Sequence, residues 1–162
     1  VTRVASPYDL NPFNLNPLRD LVVKLIDFDR VRKSKVKVFI SATNVETGRA
    51  RVWDKQDMTA EHVMASACLP WLFKAVEIDG EHYWDGGFMG NPALYPFFTE
   101  TETADIILVQ INPVERRELP NTSMEIMERI NEITFNASLV SEMRAIASRL
   151  ELDIDKPLAS TI

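Results

Sequence analysis

Apolar residues recur at helical spacing just after Asn16 and Pro17. Asparagine is a favoured N-cap residue and proline is favoured in the first turn, so this pair marks the start of a helix. The apolar positions that follow form one stripe, which comprises Leu18, Leu21, Val22, Leu25 and Ile26. We therefore predict a helix that begins at Pro17 and packs on a sheet.

A longer stretch, from about Ser123 to Leu150, also carries apolar residues at helical spacing. Thr122 and Glu125 have the spacing of a capping box, which satisfies free backbone N–H groups at a helix start. The stripe steps by three and four residues and comprises Ile126, Ile130, Ile133, Ala137, Val140, Met143, Ala147 and Leu150. We predict one long helix with this face buried, and we favour packing against the sheet over an oligomer seam because the stripe contains two alanines.

Shorter runs have the alternating or continuous apolar character of β-strands. They are Val36–Ser41, Arg49–Trp53, Val76–Ile78, Glu81–Trp84 and Ile106–Ile111. The last run is apolar throughout, which is typical of a central strand buried on both faces. After the second run, Thr59 caps a helix that we expect to continue to about Cys68, because Pro70 stops it. This succession of helices and strands favours an α/β architecture.

The densest cluster of glycines follows a predicted hairpin. Asp79 and Gly80 form a two-residue loop suited to a type I′ turn, and the strand after it leads Asp85 directly into Gly86 and Gly87. An acid at this position is either an ordinary Asx turn, bonded to its own backbone two residues on, or a carboxylate exposed at the sheet edge for chemistry. We expect Gly86 or Gly87 to adopt a positive φ, which would make substitution by valine damaging.

Composition narrows the classes of protein that this chain can belong to. The 162 residues, 46% hydrophobic and 26% charged, are typical of one soluble globular unit. A net charge of −6 argues against nucleic acid as a partner. Cys68 is a lone cysteine, which fits a buried small hydrophobe in a reducing compartment, so we expect a cytoplasmic location. His62 and His82 lack metal-ligand spacing, and we expect neither a metal nor a cofactor.

The residues around the Asp85 turn resemble a known family. Ala65–Phe73 reads A-S-A-C-L-P-W-L-F, the D-G-G of the turn follows it, and Gly90–Pro92 reads G-N-P. This order resembles the C-terminal half of the patatin-like phospholipase family, in which A-S-x-A-x-P-x-x-F precedes D-G-[GA]. Lys37–Asn44 is similar to the strand that precedes these motifs in the family, and the likeness extends over about Asn16–Ile111.

The resemblance implies a fold and a role. The chain would form the C-terminal portion, residues 1–162, of a single three-layer α/β/α patatin-like domain that ends in the long helix at about 123–150. Asp85 would be the catalytic base of a serine–aspartate dyad in an acyl-ester hydrolase, with Gly86 and Gly87 supporting its turn. The implied substrate is a lipid or another ester, with at most transient contact with a membrane surface, and the oligomeric state stays open.

The serine of that dyad has no counterpart in this sequence. In the family it lies in G-x-S-x-G, and none of the five glycines, Gly48, Gly80, Gly86, Gly87 and Gly90, forms this motif with a serine. We therefore expect the serine and the glycine-rich oxyanion loop to precede Val1 in a longer protein. The partner of this chain would be that N-terminal part, and the chain alone would be inactive.

Other interpretations of the same residues remain open. The loop Ser6–Pro17 carries exposed aromatic and aliphatic residues, which either pack on the surface or help to wall an acyl pocket: Tyr8, Leu10, Phe13 and Leu15. The aromatic residues nearer the motifs, Trp71, Phe73, Phe88 and Tyr95, either suit an acyl chain or belong to the core. Without a nucleophile, the chain could instead be a noncatalytic binding or assembly module that uses this loop and the long helix. A glycosidase-like pair of Asp79 and Glu81 is disfavoured, because both lie at the hairpin turn.

Overall fold

The computed structural model describes residues 5–102 and 105–149 of the chain. The chain forms two compact units, Val1–Ala93 and Leu94–Ile162. The helices of the first unit are α1 (Pro7–Leu10), α2 (Pro17–Leu25), α3 (Phe28–Lys33) and α4 (Ala60–Ser66), and its strands are β1 (Phe39–Asn44), β2 (Ala50–Asp54), β3 (Val76–Ile78) and β4 (Glu81–Asp85). The second unit contains α5 (Tyr95–Glu100) and α6 (Ser123–Arg149). Among the described residues, no helix is both long enough and apolar enough to cross a membrane.

The four strands form one antiparallel sheet in the order β2-β1-β4-β3. Strand β1 is central, and its pairing with β4 places Ala42 opposite Asp85 and Thr43 opposite Trp84. The sheet and its helices make a mixed helix-and-sheet fold of the α/β class, as predicted. The sheet therefore brings the end of β4 against the middle of β1.

The hairpin between β3 and β4 has the predicted turn. Ile78 pairs with Glu81, which leaves a two-residue loop of Asp79 and Gly80. Their φ angles are 54° and 82°, as a type I′ turn requires at both positions. This turn sets the register of β4 and hence the position at which Asp85 leaves the sheet.

The core of the first unit lies between the sheet and α4. It consists of Ala42, Trp53, Ala65, Ile78 and Tyr83. The Trp53 ring makes edge-on contacts with Tyr83, at 5.0 Å between centroids, and with His62, at 4.7 Å. Helix α4 begins after Thr59, as predicted, and ends at Ser66, two residues before the expected end at Cys68.

Helix α2 begins where the sequence predicted, but it packs differently. The Asn16 side chain accepts a hydrogen bond from the Leu18 N–H at 3.2 Å, and Pro17 is the first helical residue. Of its apolar stripe only Val22 is buried within the helix, and it packs with Ala60 and Met64 of α4. The expectation that α2 packs on the sheet was wrong for its main contact, which is with α4, a helix that itself packs on the strands.

The apolar run Ile106–Ile111 is not a strand, contrary to the sequence prediction. The run has no regular structure, and Ile107, Val109 and Ile111 are 93%, 83% and 92% exposed. A strand forms only when a neighbouring strand pairs with its backbone. The described part of the second unit, residues 94–102 and 105–149, contains no strand that could do so.

Helix α6 forms as predicted, although its apolar stripe is only partly buried. Its start carries the capping box, in which Glu125 accepts from the Thr122 N–H at 3.2 Å and Thr122 accepts from the Glu125 N–H at 3.3 Å. Ala147 of the stripe and Leu139 outside it are buried, but five members of the predicted stripe are exposed: Ile126, Ile130, Ile133, Ala137 and Met143. The expectation of a continuous buried face was therefore wrong for these positions, and Leu150 lies outside the described residues.

The helix contacts the preceding loop through a polar side chain. Asn136 is buried, donates to the Pro113 carbonyl at 3.0 Å and accepts from the Gln110 side chain at 3.1 Å. An amide that is satisfied by both partners can be buried at little cost. The sequence pattern missed this contact because it followed only apolar residues.

Candidate functional site

Asp85 is the last residue of β4, and its main chain is held from two sides. Its N–H donates to the carbonyl of Cys68, just after α4, at 2.9 Å. Its carbonyl accepts from the Thr43 hydroxyl of β1, also at 2.9 Å. The site therefore lies where β1, β4 and the segment after α4 meet.

The Asp85 side chain forms the Asx turn that the sequence allowed as an alternative. Its Oδ1 atom accepts a hydrogen bond from the Gly87 N–H at 2.8 Å. Burial raises the pKa of the half-buried carboxyl above its ordinary value of 3.8, and the Gly87 hydrogen bond offsets part of this rise. The turn holds the carboxylate in one direction, and a carboxylate has a second oxygen that can accept a proton. A structural turn and a catalytic base are thus compatible here.

The two glycines after Asp85 lie in a 3₁₀ turn, Gly86–Phe88. The expectation that one of them has a positive φ was wrong, since the positive φ angles of the described residues occur elsewhere, at Asn14, Gly48, Asp79 and Gly80. Glycine is required at position 86 for a different reason. A Cβ atom there would lie 2.7 Å from both the carbonyl carbon and the Oγ of Ser41, and closer still to the Ser41 carbonyl oxygen. Only a residue without a side chain lets β1 and the turn approach so closely.

Cys68 is buried beside this turn, as predicted. Its Sγ lies 3.1 Å from the Lys74 carbonyl, to which the thiol donates. Burial raises the pKa of the Cys68 thiol to about 11, and the negative charge of Asp85 adds to this rise. The thiol is therefore neutral at physiological pH, which fits the prediction of a small buried side chain rather than a reactive one.

Neither histidine approaches the Asp85 carboxylate in the way a catalytic partner would. Side chains alternate along a strand, so His82 and Asp85 point to opposite faces of the sheet. The Nδ1 atom of His82 lies 2.6 Å from Glu46 in a partly exposed pair. His62 is buried against Trp53, and this burial lowers its pKa. Among residues 5–102 and 105–149, no cluster of three or more His, Cys, Asp or Glu side chains could hold a metal ion.

A cavity of about 410 Å³ lies between the N-terminal loop, α4 and β3. Its lining includes Tyr8 and Phe73 together with the charged residues Arg19, Glu61 and Lys74. Cys68 also lines it, and the Cys68 carbonyl binds the Asp85 N–H. Cys68 therefore connects the wall of the cavity to Asp85. The walls of the cavity are of mixed polarity rather than purely apolar.

The N-terminal loop is attached to the segment after α4 at two points. Lys74 donates from Nζ to the Pro12 carbonyl at 2.9 Å, and the Ala75 N–H donates to the Tyr8 hydroxyl at 3.4 Å.

Of the four residues considered for an acyl pocket, Tyr8 lines the cavity, while Leu10, Phe13 and Leu15 are 66%, 84% and 70% exposed. Of the aromatic residues nearer the motifs, Trp71 is exposed, Phe73 lines the cavity, Phe88 is half-buried, and Tyr95 of the second unit is exposed.

Two residues that contact the Asp85 turn escaped the sequence analysis. Thr43 binds the Asp85 carbonyl, and Ser41 lies against Gly86. Both belong to the run K-V-F-I-S-A-T-N, whose position ahead of the turn motif was the signal that pointed to them. Because the two residues are spaced by two on one strand, they lie on the same face of β1.

Comparison with known proteins bears out the resemblance. A family model described as patatin-like phospholipase matches residues 8–98, which is more than half of the chain. The matched segment contains the whole sheet, α4, the cavity-lining loops and the Asp85 turn. No curated protein matches the chain.

Proposed function

Because the chain belongs to the patatin-like phospholipase family, we propose that it is part of a lipid acyl-ester hydrolase and supplies its catalytic base, Asp85. The observation that carries this proposal is the position of Asp85. It stands at a strand end with its main chain held by Cys68 and Thr43 and its side chain held by Gly87. Such preorganisation suits a group that must accept the proton of a serine hydroxyl in one geometry.

The proposed reaction has two steps. Asp85 accepts the proton of a serine hydroxyl as the serine oxygen bonds to the ester carbonyl carbon, and it gives this proton to the departing oxygen as the bond from the carbonyl carbon to the alcohol breaks. Water then attacks the acyl-serine while Asp85, ionised again, accepts a proton from it. Asp85 returns this proton to the serine oxygen as the acyl–serine bond breaks and the fatty acid is released. Backbone amides of a glycine-rich loop would stabilise the negative charge on the carbonyl oxygen. A carboxyl whose pKa is raised by burial is a stronger base than an exposed aspartate, which supports this role.

The serine and the glycine-rich loop belong, in this proposal, to a segment that precedes Val1. The support is that none of the five glycines in the chain forms G-x-S-x-G with a serine. The acyl ester would be a lipid, and transient contact with a membrane surface would bring the enzyme to it. The exposed apolar residues Phe13 and Trp71, on the two loops beside the cavity, support such contact.

A noncatalytic binding or assembly module is the second candidate. The observation that favours it is the row of exposed apolar residues on α6, Ile126, Ile130 and Ile133, which could contact a partner. The two candidates make opposite predictions for the role of Asp85. An assembly module would tolerate any change of Asp85 that preserves the turn.

The test is hydrolysis of an aryl butyrate by the full-length protein and its Asp85→Asn variant. Asparagine keeps the side-chain oxygen that accepts from Gly87 but cannot take a proton, so turnover should fall by at least about a hundredfold. Asp79→Asn, in the hairpin turn where asparagine tolerates the positive φ, is the matched control and should keep wild-type turnover. Near-normal turnover by a folded Asp85→Asn protein would contradict the proposed role.

The proposal that the catalytic site is divided between this chain and a preceding segment has its own test. Residues 1–162 alone should not hydrolyse the aryl butyrate, because a base without a nucleophile or an oxyanion hole retains little of the acceleration that the three provide together. Activity should appear when the chain is produced joined to, or together with, the preceding segment. Turnover by residues 1–162 that is lost in Ser41→Ala or Ser66→Ala would place the nucleophile within this chain and overturn the divided site.

A further inference from the structure

The peptide plane that follows Asp85 is oriented by a side chain of β1. The Thr43 hydroxyl donates to the Asp85 carbonyl at 2.9 Å. Because a peptide group is planar, this hydrogen bond also orients the Gly86 N–H, which belongs to the same plane. The next amide, that of Gly87, binds Oδ1 of Asp85 at 2.8 Å. The direction of the carboxylate therefore depends on the orientation of the plane that Thr43 holds.

Thr43 is well suited to hold this plane. Its side chain is buried, and its branched Cβ restricts the first side-chain torsion. Its own backbone is fixed in the centre of the sheet, where it pairs with Ala50 of β2 and Trp84 of β4. Two residues earlier, on the same face of β1, Ser41 lies against Gly86. One face of β1 thus supports the turn both at Asp85 and at Gly86.

We propose that Thr43 is a positioning residue for the catalytic base, acting through the main chain of Asp85. This inference rests on the proposed function of Asp85. A general base must lie within hydrogen-bond reach of the proton that it accepts, and a displacement of about 1 Å can cost about a hundredfold in rate. Thr43 need not touch the substrate for its loss to slow the reaction. Binding of the ester should be affected much less than the chemical step.

The experiment compares three variants of the full-length protein in aryl butyrate hydrolysis. Thr43→Val removes the hydroxyl but keeps the branched shape, and it should lower kcat about tenfold while KM changes by less than about twofold. Thr43→Ser keeps the hydroxyl and should stay within about twofold of the wild-type kcat. Thr134→Val is the matched control, because the Thr134 hydroxyl donates to the Ile130 carbonyl in α6 at 2.8 Å, and this variant should behave as wild type.

Two further readouts distinguish positioning from a general loss of stability. A looser turn admits water to the carboxylate, so the acid limb of the kcat/KM profile should move to lower pH in Thr43→Val. Amide hydrogen exchange should become faster at Asp85 and Gly87 and stay unchanged in α4. A Thr43→Val protein with wild-type kcat, acid limb and exchange would overturn the proposal.

The outcomes also separate this inference from the proposed function. If Asp85→Asn is inactive while Thr43→Val matches the wild type in every readout, Asp85 remains the base and the role of Thr43 is refuted. If Asp85→Asn is active, the proposed function fails and Thr43 has no base to position. In that case a positioning role is overturned even if exchange shows that Thr43 stabilises the turn.

Discussion

The carbonyl group of Ser41 in β1 lies so close to Gly86 that no side chain fits between this strand and the turn after β4. This contact joins the centre of the sheet to the turn that carries Asp85. The two residues are 45 positions apart in the sequence. The contact requires a residue without a side chain at position 86, whatever the backbone torsion angles of that residue. The first prediction follows from it.

Gly86→Ala should destabilise the first unit of the chain by about 1–3 kcal/mol, the range typical of overpacking. The added methyl group would meet main-chain atoms of β1, which cannot move aside without disturbing the sheet. Urea unfolding followed by circular dichroism would measure the loss. Gly80→Asn is the control, because the Cβ at position 80 meets no atom within 4 Å and asparagine tolerates a positive φ. Equal stability of the Gly86→Ala and wild-type proteins would contradict the close approach.

The activity of the full-length protein should depend on the ionised form of Asp85. Since burial raises the pKa of this carboxyl above the ordinary 3.8, the acid limb of kcat/KM should have its midpoint above that value. Activity should fall as the pH drops through this pKa, because the base becomes protonated. A pH–rate profile over the range 3 to 8, within the limits of stability, measures it. A midpoint at or below 3.8 would contradict the effect of burial.

The same pKa shift predicts that Asp85 lowers stability at neutral pH. A carboxyl whose pKa is raised by folding favours the folded state below its unfolded-state pKa, and this contribution is lost as the pH rises through the folded-state pKa. Asp85→Asn should therefore unfold at a higher temperature than the wild type at pH 7, and the difference should narrow below pH 4. Thermal unfolding at the two pH values tests this, with Asp79→Asn as the control. A lower melting temperature for Asp85→Asn at pH 7 would show that the charged form is favoured by folding.

Cys68 should resist thiol reagents in the folded protein. Because the pKa of its thiol rises from an ordinary 9.0 to about 11, the reactive thiolate fraction at pH 8 should fall about a hundredfold, and burial hinders access further. A chromogenic disulfide reagent at pH 8 measures the rate, and the unfolded chain in denaturant is the reference. The signal is unambiguous because the chain has one cysteine. Labelling at the rate of the unfolded chain would contradict the buried position.

Some elements were predictable because their causes lie within a few residues. The turn at Asp79 and Gly80, the Asn16 cap of α2 and the capping box at the start of α6 all depend on contacts between near neighbours in the chain. The order of motifs around Asp85 was likewise readable from the sequence, and it identified the family correctly. Local torsion preferences and short-range hydrogen bonds are the same wherever such a segment occurs.

Other features were decided by residues far apart in the chain. Ile106–Ile111 has the composition of a buried strand, yet composition cannot supply the neighbouring strand that pairing requires, and the run is exposed. The sequence singled out Gly86 for a positive φ, but glycine is required there by the approach of Ser41. By itself the sequence determined the local turns, the helix starts and the residue expected to act as a base. Only the tertiary structure decided what surrounds Asp85, because Thr43, Cys68 and Ser41 reach it through strand pairing and helix packing that no local pattern records.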